Sequence, residues 1–176
     1  MNIIAFSTSG SSVSINKQLL DYVLTYFSEN QIDIVDINDY EMTLYNYDKE
    51  AQDGIPPLAV EFQERINKAD LIIMALAEHN GGFPVIFKNV FDWISRIPKN
   101  IALANKNIFL LSTSPGPRGG ATVMGMASQL FPYYGAKILA TYSLPSFDQN
   151  FSSDQGVTNE SLLAELKEKI DLVKAG

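Results

Sequence analysis

The sequence predicts a three-layer, doubly wound α/β sandwich built on a five-stranded parallel sheet of strand order 2-1-3-4-5. Three observations carry this expectation. Short apolar runs alternate with helically periodic segments along nearly all of the 176 residues. The runs Leu71–Leu76 and Ile108–Ser112 are continuously apolar, as strands covered on both faces are. Right-handed crossovers and short connections then leave few topologies, with 2-1-3-4-5 leading and Rossmann-type orders behind it. No repeat and no Pro/Gly/Ser-rich linker divides the chain, so residues 1–176 are expected to form one domain, which at this size buries about 70% of its unfolded surface.

The elements follow in order. Asn2–Ser7 reads as a buried strand, closed by the small polar cluster Thr8-Ser9-Gly10-Ser11-Ser12. Leu19, Leu20, Val23, Leu24 and Phe27 recur at helical spacing, which predicts an amphipathic helix from Ser14 to about Glu29. Ile32–Ile37 alternates and reads as a second, less buried strand. Asn38–Pro57 is aromatic and acidic with weak periodicity, so it reads as a long loop or insert. Pro57–Lys68 carries Leu58, Phe62 and Ile66 on one helical side. After the strand Leu71–Leu76, Pro84 stands where a helix can begin, since its first position can spare an N–H, and Val85–Ile94 continues it. The strand Ile108–Ser112 leads into the turn Ser114–Gly120, a helix over Ala121–Tyr134 and a fifth strand, Lys137–Ser143. Leu162, Leu163, Leu166, Ile170 and Val173 line a closing helix, with Thr158 or Asn159 as its N-cap.

Composition removes several classes of function. The chain has no cysteine, which excludes disulfide scaffolds, iron–sulfur clusters, Cys-ligated zinc and thiol chemistry. Thirteen Lys and Arg against twenty Asp and Glu give a net charge of −7, a surface that repels nucleic acid and anionic membranes. No stretch approaches the roughly 20 apolar residues of a membrane span, and the opening residues lack the basic start of an export signal. A cytoplasmic location is expected.

In such a sandwich ligands bind beyond the carboxyl ends of the strands, where the strand order reverses. Three loops therefore carry the candidate chemistry. Thr8–Asn16 places small hydroxyl residues before a helix, where free N–H groups and the helix dipole suit a phosphate held without metal; it equally suits a simple turn with Ser14 as N-cap. It is neither a dinucleotide glycine fingerprint nor a Walker A loop. Ala77–Pro84 offers exposed main chain for the edge of a flat heterocycle, or forms an ordinary βα turn. His79 is the only histidine and lacks the partners a metal site requires, and no Gly-x-Ser-x-Gly elbow accompanies it, so it reads as a contact beside a ligand and no catalytic residue or metal ligand is assigned. Ser114–Gly120 is a rigid turn of three glycines and two prolines whose Arg118 either meets an anionic ligand or is simply solvated.

Taken together, Ser9–Asn16, then Glu78-His79-Asn80-Gly81-Gly82-Phe83-Pro84, then Phe87-Lys88-Asn89-Val90-Phe91-Asp92-Trp93 resemble the NAD(P)H-dependent FMN reductase family, a flavodoxin-like group that includes quinone, azo-dye and chromate reductases. That family's usual pattern is Gly-Ser-x-Arg-x-x-Ser-x-Asn, then Pro-Glu-Tyr-Asn, then Leu-Lys-Asn-Ala-x-Asp-Trp. The resemblance implies FMN as cofactor, NAD(P)H as electron donor and a small molecule, such as a flavin or quinone, as acceptor. It implies that Ser9, Ser14 and Asn16 bind the FMN phosphate, with Ser11 and Ile15 of the same loop counted among the cofactor-binding residues. Ala77, Glu78, His79, Asn80 and Gly81 are implied to line the isoalloxazine ring, with Ser114 and Gly116 on its other side. Asp92 and Trp93 lie on a helix that the resemblance associates with homodimer or homotetramer contacts. Three departures from the pattern matter: Ser11 stands for Arg, Ala77 for Pro and His79 for Tyr. Two alternatives stand beside this reading: a flavodoxin-type electron carrier that does not oxidise NAD(P)H, and a binding module that has lost its cofactor, prompted by Ser11.

Overall fold

The computed structural model describes residues 1–176. Strands β1 (Asn2–Ser7), β2 (Gln31–Val35), β3 (Leu71–Leu76), β4 (Asn107–Thr113) and β5 (Lys137–Leu144) form one sheet of order β2-β1-β3-β4-β5. Every neighbouring pair is parallel. The flavodoxin-like architecture expected from the sequence is therefore observed.

Both faces of the sheet are covered, which explains the continuous apolar runs. Alternate residues of one strand go to opposite layers: Ile72, Met74 and Leu76 to one, Leu71, Ile73 and Ala75 to the other. The first layer packs against α3 (Pro57–Lys68), α4 (Val85–Ile94) and α5 (Ala121–Leu130). The second packs against α1 (Ile15–Leu24) and α7 (Glu160–Ala175). Asn159 caps α7, its Oδ1 accepting from the N–H groups of Ser161 and Leu162 at 3.1 and 3.2 Å. No helix is long and apolar enough to cross a membrane.

Several boundaries differ from the sequence expectation for local reasons. Helix α1 ends at Leu24, and the helical spacing continues only as a 3-10 turn over Thr25–Phe27, which still buries Phe27. The helix expected over Ala121–Tyr134 is an α-helix to Leu130 and continues as a 3-10 turn over Phe131–Tyr134, since Pro132 lacks an N–H, and Gly135, with a left-handed φ of 85°, ends it where expected. Pro84 occupies the position before the first helical residue rather than the first position itself. Two small elements went unread: α6 (Phe147–Asn150) and the hairpin of β6 (Phe151–Ser152) with β7 (Gly156–Val157), both too short for periodicity.

The segment 38–57 is not a simple loop. A 3-10 turn covers Ile37–Tyr40, and α2 spans Tyr47–Asp53 between an Asn46 cap and Gly54. Helix α2 buries no residue, so it leaves no hydrophobic periodicity to read. Two buried side chains of α4 pin the stretch before it. Asn89 Oδ1 accepts from the Tyr45 N–H at 2.8 Å, its Nδ2 donates to the Met42 carbonyl at 3.0 Å, and Trp93 Nε1 donates to the Thr43 carbonyl at 2.8 Å. Trp93 is thus buried and spent on this chain's own backbone.

An aromatic cluster locks α4 to the sheet. Phe87 is 1% exposed and meets Phe6, Phe83, Phe91 and Phe131 at centroid distances of 5.4–6.3 Å. Phe87→Ala leaves a void among rings that cannot collapse, and a loss of about 3–5 kcal/mol is expected in urea unfolding, at an unchanged m-value.

Candidate functional site

The strand order sets the carboxyl ends of β1, β3 and β4 side by side. Three contacts between side chains and main chain then knit the loops that leave them. Thr8 continues the β1–β3 pairing through its N–H to the Ala75 carbonyl at 2.9 Å, and its Oγ1 accepts from the Ala77 N–H at 2.8 Å. Asn16, at the start of α1, holds the end of β4: its Oδ1 accepts from the Thr113 N–H at 2.9 Å and its Nδ2 donates to the Thr113 carbonyl at 3.2 Å. Glu78 Oε2 accepts from the Val123 N–H of α5 at 3.0 Å, while Oε1 lies 3.3 Å from Arg118 Nη2.

Loop one, Thr8–Ser14, is a succession of serine turns. The hydroxyls of Ser7, Ser9, Ser11 and Ser14 accept from the amides of Ser9, Ser11, Val13 and Lys17 at 3.2–3.4 Å. Ser14 is the N-cap of α1. The amides of Gly10, Ser12, Ile15 and Asn16 have no acceptor within the chain, and the first turn of α1 contains no acidic residue. Free N–H groups, hydroxyls and the positive end of a helix dipole converge on one loop, an anion cradle built mainly from main-chain donors, with Lys17 of the first helical turn paired to Asp21. Asn38 packs closely on Gly10: a Cβ there would come 2.6 Å from Asn38 Oδ1 and push that side chain aside.

Loop two is a tight hairpin. The His79 N–H donates to the Gly82 carbonyl at 2.9 Å and the Gly82 N–H to the His79 carbonyl at 3.0 Å. Between them Asn80 and Gly81 have φ of 51° and 79°. Left-handed backbone at both central positions defines a type I′ turn, for which Asn-Gly is the strongest short-range signal. That signal stands in the sequence at Asn80-Gly81. The turn projects its main chain outward, with His79 and Asn80 exposed.

Loop three folds back onto the corner after β5. The Gly116 carbonyl accepts from Ser114 Oγ at 3.0 Å and from the Ser146 N–H at 2.9 Å, and the Ser114 carbonyl accepts from the Phe147 N–H at 3.0 Å. Gly120 has a φ of 80°, and a Cβ there would lie 3.0 Å from Ser112 Cβ.

The twelve residues singled out from the sequence therefore divide. Ser9, Ser11, Ser14 and Ile15 gather in loop one, His79, Asn80 and Gly81 in the turn of loop two, and Ser114 and Gly116 in loop three. Three others have their polar groups committed to the chain itself. Asn16 uses both side-chain polar atoms on Thr113, leaving only its free amide toward loop one. The buried Ala77 gives its N–H to Thr8, and Glu78 turns to α5. Thr8 belongs to the first candidate loop in the sequence, but neither its hold on Ala77 nor the part played by Thr113 is legible there, because the partners lie more than sixty residues away.

The largest concavity, about 540 Å³, lies at the opposite end of the sheet, among Asn2, Gln31, Asp33, Arg65 and Lys68. There the Arg65 guanidinium holds the Asp33 carboxyl below the usual carboxylate range. Arg65, the strongest cation there, is committed to Asp33 and Tyr40, and the loops at the carboxyl ends remain the candidate site. Asn16→Ala strips both buried polar groups of Thr113 of their partner, and a loss of about 2–4 kcal/mol is expected in chemical unfolding.

Comparison with known proteins agrees with this fold. The chain is 26% identical over 173 residues to an NADH:(hydroxy)cinnamate reductase subunit of Vibrio ruber, an alignment covering 96% of this chain and 83% of that one. It is 29% identical over 99 residues to a quinone reductase of Escherichia coli, covering 56% of this chain and about half, 52%, of the relative. Among solved structures, a flavoenzyme NAD(P)H:(acceptor) oxidoreductase from Paracoccus denitrificans superposes with a TM-score of 0.77 at 21% identity, covering 99% of this chain and 97% of that one. A family model describing NADPH-dependent FMN reductases matches residues 1–150, and the chain belongs to that family.

Proposed function

We propose that residues 1–176 form one FMN-binding domain that passes electrons from NAD(P)H to a flavin, quinone or similar small acceptor. The observation that carries this reading is the anion cradle of loop one, whose donor set fits a phosphate monoester. Four unpartnered amides and the loop's hydroxyls face it, no carboxylate of the first helical turn opposes it, and helix α1 points its positive end at it. When bound, FMN supplies the hydride and electron chemistry.

The chain's residues do the rest. Ser9, Ser11, Ser14 and the amides of Ile15 and Asn16 hold the phosphate. The protruding main chain of His79, Asn80 and Gly81 orients the ring, and Ser114 with Gly116 bounds its other side. No side chain acts as acid or base at this site. A reductase family decides for an enzyme over an electron carrier. Assembly as a homodimer or homotetramer and a cytoplasmic location belong to the same reading; the exposed Leu44, Tyr47 and Val85 support an assembly surface.

The test is steady-state NADPH and NADH oxidation by the purified protein with FMN present and a quinone as acceptor. Sustained turnover is expected; flavin binding without NAD(P)H consumption would favour the carrier. Ser11 offers a second test, since a charge-assisted contact contributes about 1.5–3 kcal/mol. Ser11→Arg is expected to tighten FMN binding about tenfold or more while leaving riboflavin affinity unchanged, as read by fluorescence titration of both flavins.

A further inference from the structure

We propose that Glu78 is a positioning residue whose side-chain length sets the height of the His79–Gly82 turn against α5, and thereby the placement of the main chain that meets the flavin ring. This rests on the FMN reading above. Helix α5 needs an acceptor from elsewhere. Its cap, Gly120, must be glycine because of its left-handed backbone and the nearby Ser112 Cβ, so no side chain of its own satisfies the first-turn amides. The Glu78 carboxylate supplies that acceptor at the Val123 N–H, where the helix dipole favours a negative charge.

The neighbouring contacts make this a latch. Arg118 spans Glu78 Oε1 at 3.3 Å and Thr122 Oγ1 at 3.0 Å. A Cβ at Gly81 would lie 3.8 Å from Thr122 Cγ2, so the tip of the turn rests directly on the first turn of α5. One residue earlier, the Ala77 N–H is held by Thr8. The exit of β3 is therefore gripped from loop one on one side and from α5 on the other. His79 and Asn80 are exposed and their side chains make no hydrogen bond, and Phe83, which follows the turn, packs on Phe87 and Phe131, so Glu78 is the side chain that ties the turn to the main chain of α5. The Glu78 side chain itself is 15% exposed.

The experiment compares full-length Glu78→Gln, which keeps the length, with Glu78→Asp, which keeps the charge but shortens the reach. FMN and riboflavin affinities, the visible spectrum of the bound flavin and its midpoint potential are measured, with amide exchange at Val123 in the flavin-free protein. Glu78→Asp is expected to weaken both flavins by the same factor, about tenfold, to shift spectrum and potential, and to lose protection at Val123. Glu78→Gln is expected to stay within about threefold of wild type with an unshifted spectrum. Wild-type behaviour of Glu78→Asp, or a Glu78→Gln variant as impaired as Glu78→Asp, overturns the role of Glu78. Wild-type protein that binds neither flavin overturns the functional reading instead, and exchange at Val123 still separates the two variants in that case.

Discussion

Everything at the candidate site depends on three parallel strands that end together and on the hydrogen bonds that keep their loops in register. Parallel neighbours β1, β3 and β4 deliver loops one, two and three to a single edge of the sheet. Loops carry unpaired main-chain groups and move unless something holds them. Here Thr8, Asn16 and Glu78 hold them, each reaching from one loop to the backbone of another. The side-chain polar atoms of these residues are used by the fold, which leaves the free amides around loop one and the tip of loop two as the groups free to meet a ligand.

That division separates two kinds of polar residue with similar sequence signatures. The serines of loop one accept from amides two or three residues on, which bends the chain and turns the remaining amides outward. Asn16 sits one turn further along and reads as part of the same motif, yet its side chain closes a gap between helix and strand. Phosphate recognition in this account is therefore mainly a main-chain property, reinforced by a helix dipole. It suits a chain of net charge −7 whose usual loop cation is replaced by Ser11.

The layers and the strand order were legible because both faces of the sheet are covered, which makes Leu71–Leu76 and Ile108–Ser112 unmistakable. Helix α2 was illegible because it buries nothing, and α6 with the β6–β7 hairpin because they are too short. At the site, the position of the three loops followed from topology, and the Asn80-Gly81 turn was present in the sequence as a known signal. The fates of Asn16, Ala77 and Glu78 were not legible, since each is decided by a partner 45 to 97 residues distant. A sequence motif names residues that matter to a site without distinguishing those that touch the ligand from those that hold the loops.

The central claim is that free amides at the start of α1 grip a phosphate. Amide resonances followed during titration with FMN, and separately with riboflavin, test it most directly. The account expects FMN to shift Gly10, Ser12, Ile15 and Asn16 strongly, and riboflavin to shift loops two and three while sparing those four. Identical shifts from both flavins, or none in loop one, would contradict it.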